Sequence, residues 1–384
     1  MAADNRVLAV LQLSGGNDAL NTIVPYSDPY YREFRQSVAI PDDQLLRIDD
    51  RFGFHPSMKP LKDLYDQGKM AIILGVGYPH PNRSHFRSMD IWHTCEPETV
   101  GTEGWLGRAI RDLDPKSDNV LTGVNFGRGL PRALAAPGVP VASVGNLETY
   151  GVLPGISGEA QRARALEAFA RLYAPRVGRD VTMKFLSQTG LDALKGADIL
   201  GTVPATYSST VEYGKDTVAR YMRDMARVHL ANLGTRILYT TAPYNSFDTH
   251  ANQLTAHASL WTDVSNAITA FLDDLKEHDA SDDAVLLVFT EFGRRVRDNG
   301  SGTDHGSGGI AFVIGAGVKG GLYGEYPSLA PDKQLDGDLQ YNNDFRGVYA
   351  TLLEQWLDLA AKPIVNGNFE TFDLISARTN VPAF

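Results

Sequence analysis

Short, almost wholly apolar runs that break off into polar, glycine-bearing loops recur along this chain and limit the folds open to it. Val7 to Leu13 ends in Ser14-Gly15-Gly16, and Met70 to Val76 is closed by Gly77. Arg236 to Thr240 and Ala284 to Thr290 have the same character, the latter being the clearest. Such runs read as strands buried on both faces, because a half-exposed strand would alternate polar and apolar residues. Leu61 to Gln67 fits a short helix. In Ala256 to His278, the residues Leu260, Val264, Ile268, Phe271 and Leu275 recur at helical spacing and give one apolar stripe. Strand, helix, strand in that order is the signature of an α/β fold: a mostly parallel sheet sandwiched by helices.

The segment 158–232 breaks this rhythm. It is rich in Ala and Arg, with helical periodicity at Leu166, Phe169 and Tyr173 and again around Met222, Met225 and His229. It reads as a helical insertion, packed on the sheet edge or over the site, within one domain spanning 1–384. Asn342 to Leu359 reads as a connecting turn followed by a final sheet-covering helix.

A net charge of −10 argues against nucleic acid as a partner, since that affinity rests on Lys and Arg neutralising phosphates. A local basic pocket for an anionic substrate remains compatible with it. The single cysteine, Cys95, excludes a disulfide framework and any multi-cysteine metal site. No apolar run reaches the roughly 18 residues of a membrane span. The start runs almost directly into Val7 to Leu13, without the charged segment and separate apolar core of a signal peptide.

In open α/β sheets, ligands bind beyond the carboxyl ends of the strands. The first candidate strand is followed by Asn17 and Asp18, the second by Arg83, Ser84 and His85. Asp248 and His250 follow Arg236 to Thr240, and Glu291 and Arg294 follow Ala284 to Thr290. Asp304 and His305 precede another apolar run, Ile310 to Ile314, and return to the same edge if that run is antiparallel to its predecessor. Carboxylates and imidazoles gathered at one edge repel unless a cation neutralises them. Without thiolates, this set suits a divalent metal: zinc or manganese first, with calcium or magnesium also compatible.

Each signal has a bland reading. Asp18 reads equally as a turn residue or helix N-cap, and Asp248 to His250 as an ordinary loop. Ser84 opens the helical stretch His85 to Trp92, where it is either a cap or a nucleophile favoured by the helix dipole. Arg83 and Arg87 are either solvated surface groups or clamps for phosphate or sulfate oxygens.

Together these segments resemble the bacterial domain-of-unknown-function family 1501, grouped with the alkaline phosphatase and sulfatase superfamily. Leu13 to Thr22, Asn82 to Phe86, Phe247 to His250, Thr290 to Arg294, Thr303 to Gly306 and Asn342 to Tyr349 carry the resemblance. It implies a mixed, alkaline phosphatase-like sheet with one or two divalent cations, cleaving a small or polymeric anionic ester of phosphate or sulfate. Asp18, Ser84 and Glu291 would hold one metal; Asp248, His250 and His305 the other, with Asp304 as a compensating ligand. Ser84 would be the nucleophile, with His85 beside it as a catalytic group. Asn17, Arg83, Arg87 and Arg294 would bind substrate. Two departures stand out. Phe292 occupies the place of an expected imidazole, so one well-occupied ion is expected rather than two. Thr99 follows Cys95-Glu96-Pro97-Glu98 where the formylglycine signature requires arginine. The resemblance also implies twin-arginine export to the periplasm or beyond. A phosphoryl-transfer or mutase enzyme, and a non-catalytic metal-binding protein that recognises a polymer, are the alternatives.

Overall fold

The computed structural model describes residues 5–150, 159–172 and 181–376. The main sheet is built from β1 (Val7–Gln12), β2 (Met70–Gly77), β3 (Gly123–Phe126), β4 (Ala142–Val144), β5 (Ile237–Thr241), β6 (Ala284–Phe289), β7 (Gly309–Ile314), β8 (Gly321–Tyr323) and β9 (Asn343–Asp344). Their order is β8-β2-β7-β6-β1-β5-β3-β4, and β9 pairs with β2 beside this path. Central β1 is parallel to β5 and β6, with Leu11 opposite both Thr240 and Val288. β7 runs antiparallel to β6 and β2, and the other pairings in the sheet are parallel. The reversal at β7 brings the chain before Gly309 to the edge where β1, β2, β5 and β6 end.

The apolar runs form strands because both faces of the sheet are covered. Val7, Ala9 and Leu11 enter one core and Leu8 and Val10 the other, all fully buried. The helices divide in the same way. On one face lie α2 (Lys59–Asp66), α5 (Thr217–Leu230) and α6 (Gln253–Glu277), which contribute Leu61, Met222, Met225 and Ile268. On the other lie α3 (His85–Thr94), α4 (Trp105–Leu113) and α7 (Phe345–Gln355). There Trp92 stacks on Phe345 at 4.4 Å and Trp105 on Tyr349 at 4.0 Å, which ties α3 and α4 to α7, and Trp92 also stacks on Phe289 of β6 at 5.4 Å. The short α1 (Ala19–Thr22) follows the loop after β1.

Within 158–232 the described helices are Glu159–Leu172, Val181–Leu200, Val203–Thr206 and α5. Tyr173 and the side chains of Leu166 and Phe169 lie outside the described residues. α5 is part of the covering layer itself: Met222, Met225 and Val228 are fully buried in the core that takes Val7. β3, β4 and β8 escape sequence reading because they are short and carry Gly, Asn or Ser instead of an apolar run. Among the described residues, no helix is long and apolar enough to cross a membrane.

Candidate metal centre

The loop after β1 passes so close to its neighbours that only glycine fits at two positions. Gly15 and Gly16 have φ of +120° and +77°, in the region that favours glycine. A Cβ on Gly15 would stand 2.4 Å from the Asp248 amide nitrogen, and one on Gly16 2.3 Å from the Phe292 ring. The Gly15 amide donates to Glu291 Oε1 at 2.9 Å, and the Phe247 amide to the Ser14 carbonyl at 2.9 Å. The ends of β1, β5 and β6 are thereby laced together.

Arg294, 1% exposed, completes the lacing. It donates to the carbonyls of Gly16 (2.7 Å), Thr303 (2.8 Å), Phe247 (3.1 Å) and Gly15, and to Asp248 Oδ1 at 2.6 Å. Burial alone would raise the Asp248 carboxyl; the guanidinium outweighs it and holds Asp248 below the usual carboxylate range.

Three imidazoles meet at Asp248. Nδ1 of His85 lies 2.9 Å from Glu291 Oε1, Nδ1 of His250 3.0 Å from Asp304 Oδ1, and Nδ1 of His305 2.8 Å from the Arg83 carbonyl. Each Nδ1 faces an oxygen acceptor that can hold its proton, which leaves Nε2 of each ring as the atom that can give a lone pair to a cation. Those Nε2 atoms converge. Nε2 of His250 and His305 are 2.9 Å apart and lie 3.0 and 3.1 Å from Asp248 Oδ1. Nε2 of His85 is 3.4 Å from Asp248 Oδ2 and, though buried, has no hydrogen-bond partner. The hydrogen bond to Glu291 raises the His85 pKa, while burial lowers that of His305.

Two acceptor nitrogens at van der Waals contact around a carboxylate repel unless a positive charge lies among them. Donor atoms about 3 Å apart are what ligand bonds of about 2.0–2.1 Å to a common cation produce. His85, Asp248 and His305 each offer an atom within 4.8 Å of the others, and His250 adjoins them. Arg294 is the guanidinium that meets Asp248 and Glu291, while Asp304 lies nearer Arg295. The Nδ1 partners of the imidazoles are those that fix ring orientation around a metal. The residues fit a divalent cation.

The expected ligands therefore divide. Asp248, His250 and His305 are brought together, and His85, expected as a catalytic group, stands as a fourth donor. Glu291 and Asp304 are set one layer back, each holding an imidazole. Asp18 is elsewhere. Its fully buried carboxylate takes both arms of Arg35 at 2.5 and 3.0 Å, accepts from Gln253, and caps α1 through the Leu20 amide. The cap reading holds for Asp18. Ser84 is exposed, and its hydroxyl makes no capping hydrogen bond to α3. Asp18, Ser84 and Glu291 thus do not form the second metal position that the resemblance implies. Arg35 and Arg294 neutralise the carboxylates there, and the Phe292 ring lies 4.9 and 5.0 Å from the His85 and His305 rings.

The expected substrate-binding groups have protein partners. Asn17 is buried against Thr22 and His257, and Arg294 is spent as above. Arg83 pairs with Asp338 at 2.9 Å and with Asp336. Arg87 pairs with Asp90 and holds the carbonyls of Glu96, Pro97 and Thr99. Sequence reasoning missed Arg35 and Gln253, which carry no motif. His85 was read as a catalytic group beside Ser84, and its place among the donors was not foreseen.

The family model described as a protein of unknown function, DUF1501, matches residues 5–345. The chain belongs to the DUF1501 family. No curated protein sequence matches it. Among solved structures it is similar to the phosphonate monoester hydrolase of Silicibacter pomeroyi (11% identity, 98% of this chain and 78% of that one, TM-score 0.40). It is also similar to the zinc-bound C-terminal periplasmic domain of EptC from Escherichia coli (9%, 93% and 82%, TM-score 0.40). A third is a protein of the alkaline phosphatase superfamily from Vibrio parahaemolyticus (11%, 84% and 63%, TM-score 0.34). The assignment of this DUF1501 member to a mixed α/β sandwich rests on its own sheet.

Proposed function

We propose that the protein is a hydrolase of phosphate or sulfate esters, dependent on a divalent cation held by Asp248, His250, His305 and His85. The convergence of three Nε2 atoms on one carboxylate carries this reading. The mixed nitrogen and oxygen donors suit zinc or manganese. When bound, the cation supplies Lewis acidity, drawing charge from the ester oxygens as it develops.

Ser84 is the proposed nucleophile. The residue before it holds His305 through its carbonyl, and the residue after it is His85 itself. Both neighbours are pinned to the cluster while the hydroxyl, released from capping, is exposed at the start of a helix of 10 residues. There the helix dipole favours an alkoxide. Attack forms a bond from Oγ to phosphorus or sulfur as the ester oxygen leaves. The Ser84 proton passes to solvent, the leaving oxygen gains one, and water then releases the phosphate or sulfate.

The test is Ser84→Ala on a panel of aryl phosphate, phosphodiester and aryl sulfate, each with and without added zinc or manganese. The expected result is loss of several orders of magnitude in rate with metal content and melting temperature retained. A variant that stays active would leave water as the nucleophile.

A further inference from the structure

Beside the cluster, at the same edge of the sheet, lies a cleft of about 630 Å³, within the range of roughly 300–1,000 Å³ typical of ligand sites. Its floor is the end of β1 (Gln12 and Ser14). One wall is α3, through Phe86, Met89 and His93, and another is the loop after β5, through Pro243 and Tyr244. Phe86 directly follows His85, and Tyr244 belongs to the loop that carries Asp248, which sets two walls of the cleft next in sequence to the cluster.

Three features of this cleft leave a group exposed or without a partner among the described residues. Phe86 and Tyr244 are 81% and 69% exposed, large rings presented to water from two different walls. Single exposed apolar side chains are common, but two aromatic faces at the rim of one cleft mark a binding surface. The second feature is Gln12, 1% exposed. Its Oε1 accepts from His93 Nε2 at 2.8 Å and from the Tyr239 hydroxyl, which fixes the amide with Nε2 as a buried donor that has no partner. An unmet buried donor costs about 1–3 kcal/mol, so a ligand oxygen is favoured there. The third is Arg128, exposed at the lining, with no ion pair to any described residue, whereas Arg132 beside it is paired with Asp90.

The combination selects the ligand. An alkyl chain would bury the Gln12 donor without satisfying it. A single aryl ring would occupy one platform and leave most of the volume empty. A chain of pyranose rings offers flat C–H faces to the aromatic platforms and hydroxyl acceptors to the amide, and an acidic substituent would meet Arg128. We infer that the cleft binds an acidic oligosaccharide. The inference rests on the hydrolase reading, because it makes the oligosaccharide the carrier of the ester cleaved at the cluster.

Binding is measured by calorimetry on the full chain with metal chelated, so that lack of turnover cannot register as lack of binding. The probes are di- and hexasaccharides of sulfated galactan and of sulfated glycosaminoglycan, their desulfated forms, 4-nitrophenyl sulfate, and dodecyl sulfate below its micelle concentration. A sulfated hexasaccharide is expected to bind more tightly than the disaccharide and than its desulfated form. The double variant Phe86→Ala, Tyr244→Ala should weaken that binding about tenfold or more, given two stacking contacts, with its melting temperature unchanged. Arg128→Ala should narrow the gap between sulfated and desulfated probes. Absence of binding by every oligosaccharide, tighter binding of dodecyl or nitrophenyl sulfate, or a double variant that binds hexasaccharide normally would each overturn the inference. Binding without any turnover after zinc or manganese is restored would instead count against the hydrolase reading alone.

Discussion

Two aspartates follow parallel strands at the same edge of the sheet, and the structure treats them in opposite ways. Asp18, after β1, is fully buried and gripped by both arms of Arg35, so its charge is met by the protein. Asp248, after β5, shares one arm of Arg294 and faces three imidazole nitrogens. Position at a strand end does not make a carboxylate a metal ligand. The difference lies with the neighbours: a guanidinium takes both oxygens of Asp18, while Asp248 shares one arm of Arg294 with room for imidazole donors around it.

The sharpest way to break this contrast is to remove each carboxylate in turn. Asp248→Ala should abolish metal retention, a loss beyond the roughly 10–100-fold expected from second-layer changes, with the fold preserved by circular dichroism. Asp18→Asn should do the reverse. It leaves Arg35 buried beside a neutral amide, which costs about 3–5 kcal/mol for a broken buried pair, and refolded protein should still bind metal. Normal metal affinity in Asp248→Ala, or loss of metal in a folded Asp18→Asn protein, would erase the distinction.

A smaller effect separates the layers of the site. Asp304 is partly exposed and accepts from His250 Nδ1 and Asn299, bonds that hold its pKa down. Asp304→Asn should reduce metal affinity by about 10–100-fold while the stoichiometry at saturating metal is unchanged. A variant with wild-type affinity would show that Asp304 does not orient His250.

Imidazoles away from the cluster supply a contrast that is read in pH. Burial lowers the pKa of both His55 and His93 to about 4. The unfolded chain then binds more protons than the folded one between about pH 4 and 6.5, so stability declines as pH falls through that window. The decline amounts to on the order of 3 kcal/mol for each histidine. Between pH 6.5 and 8 these two contribute no slope. Urea midpoints of metal-free protein across pH 4.5–8 test this, and stability that is flat down to pH 5 would contradict it.

The sheet was legible because strands covered on both faces must be continuously apolar, and Val7 to Leu13 and Ala284 to Thr290 are so to within a residue of the observed ends. The antiparallel return at β7, which delivers His305, was legible as a condition on the pairing of Ile310 to Ile314. The charge partners were not. Arg35 reaches Asp18 from the end of a short, separate helix, and Arg83 and Arg87 are tied to Asp338 and to the 96–99 carbonyls by tertiary paths that no spacing encodes. The surroundings of His85 were hidden for a related reason. Its place beside Ser84 suggests chemistry, while its partner Glu291, remote in sequence, turns Nε2 toward Asp248.

Metal content by elemental mass spectrometry, on protein loaded with zinc or manganese and freed of excess, tests the central claim most directly. The account predicts one ion per chain, lost in Asp248→Ala and retained in Ser84→Ala. Metal-free protein that stays indifferent to added zinc and manganese would contradict it, and so would two tightly held ions per chain, since Arg35, Arg294 and Phe292 leave no place for the second.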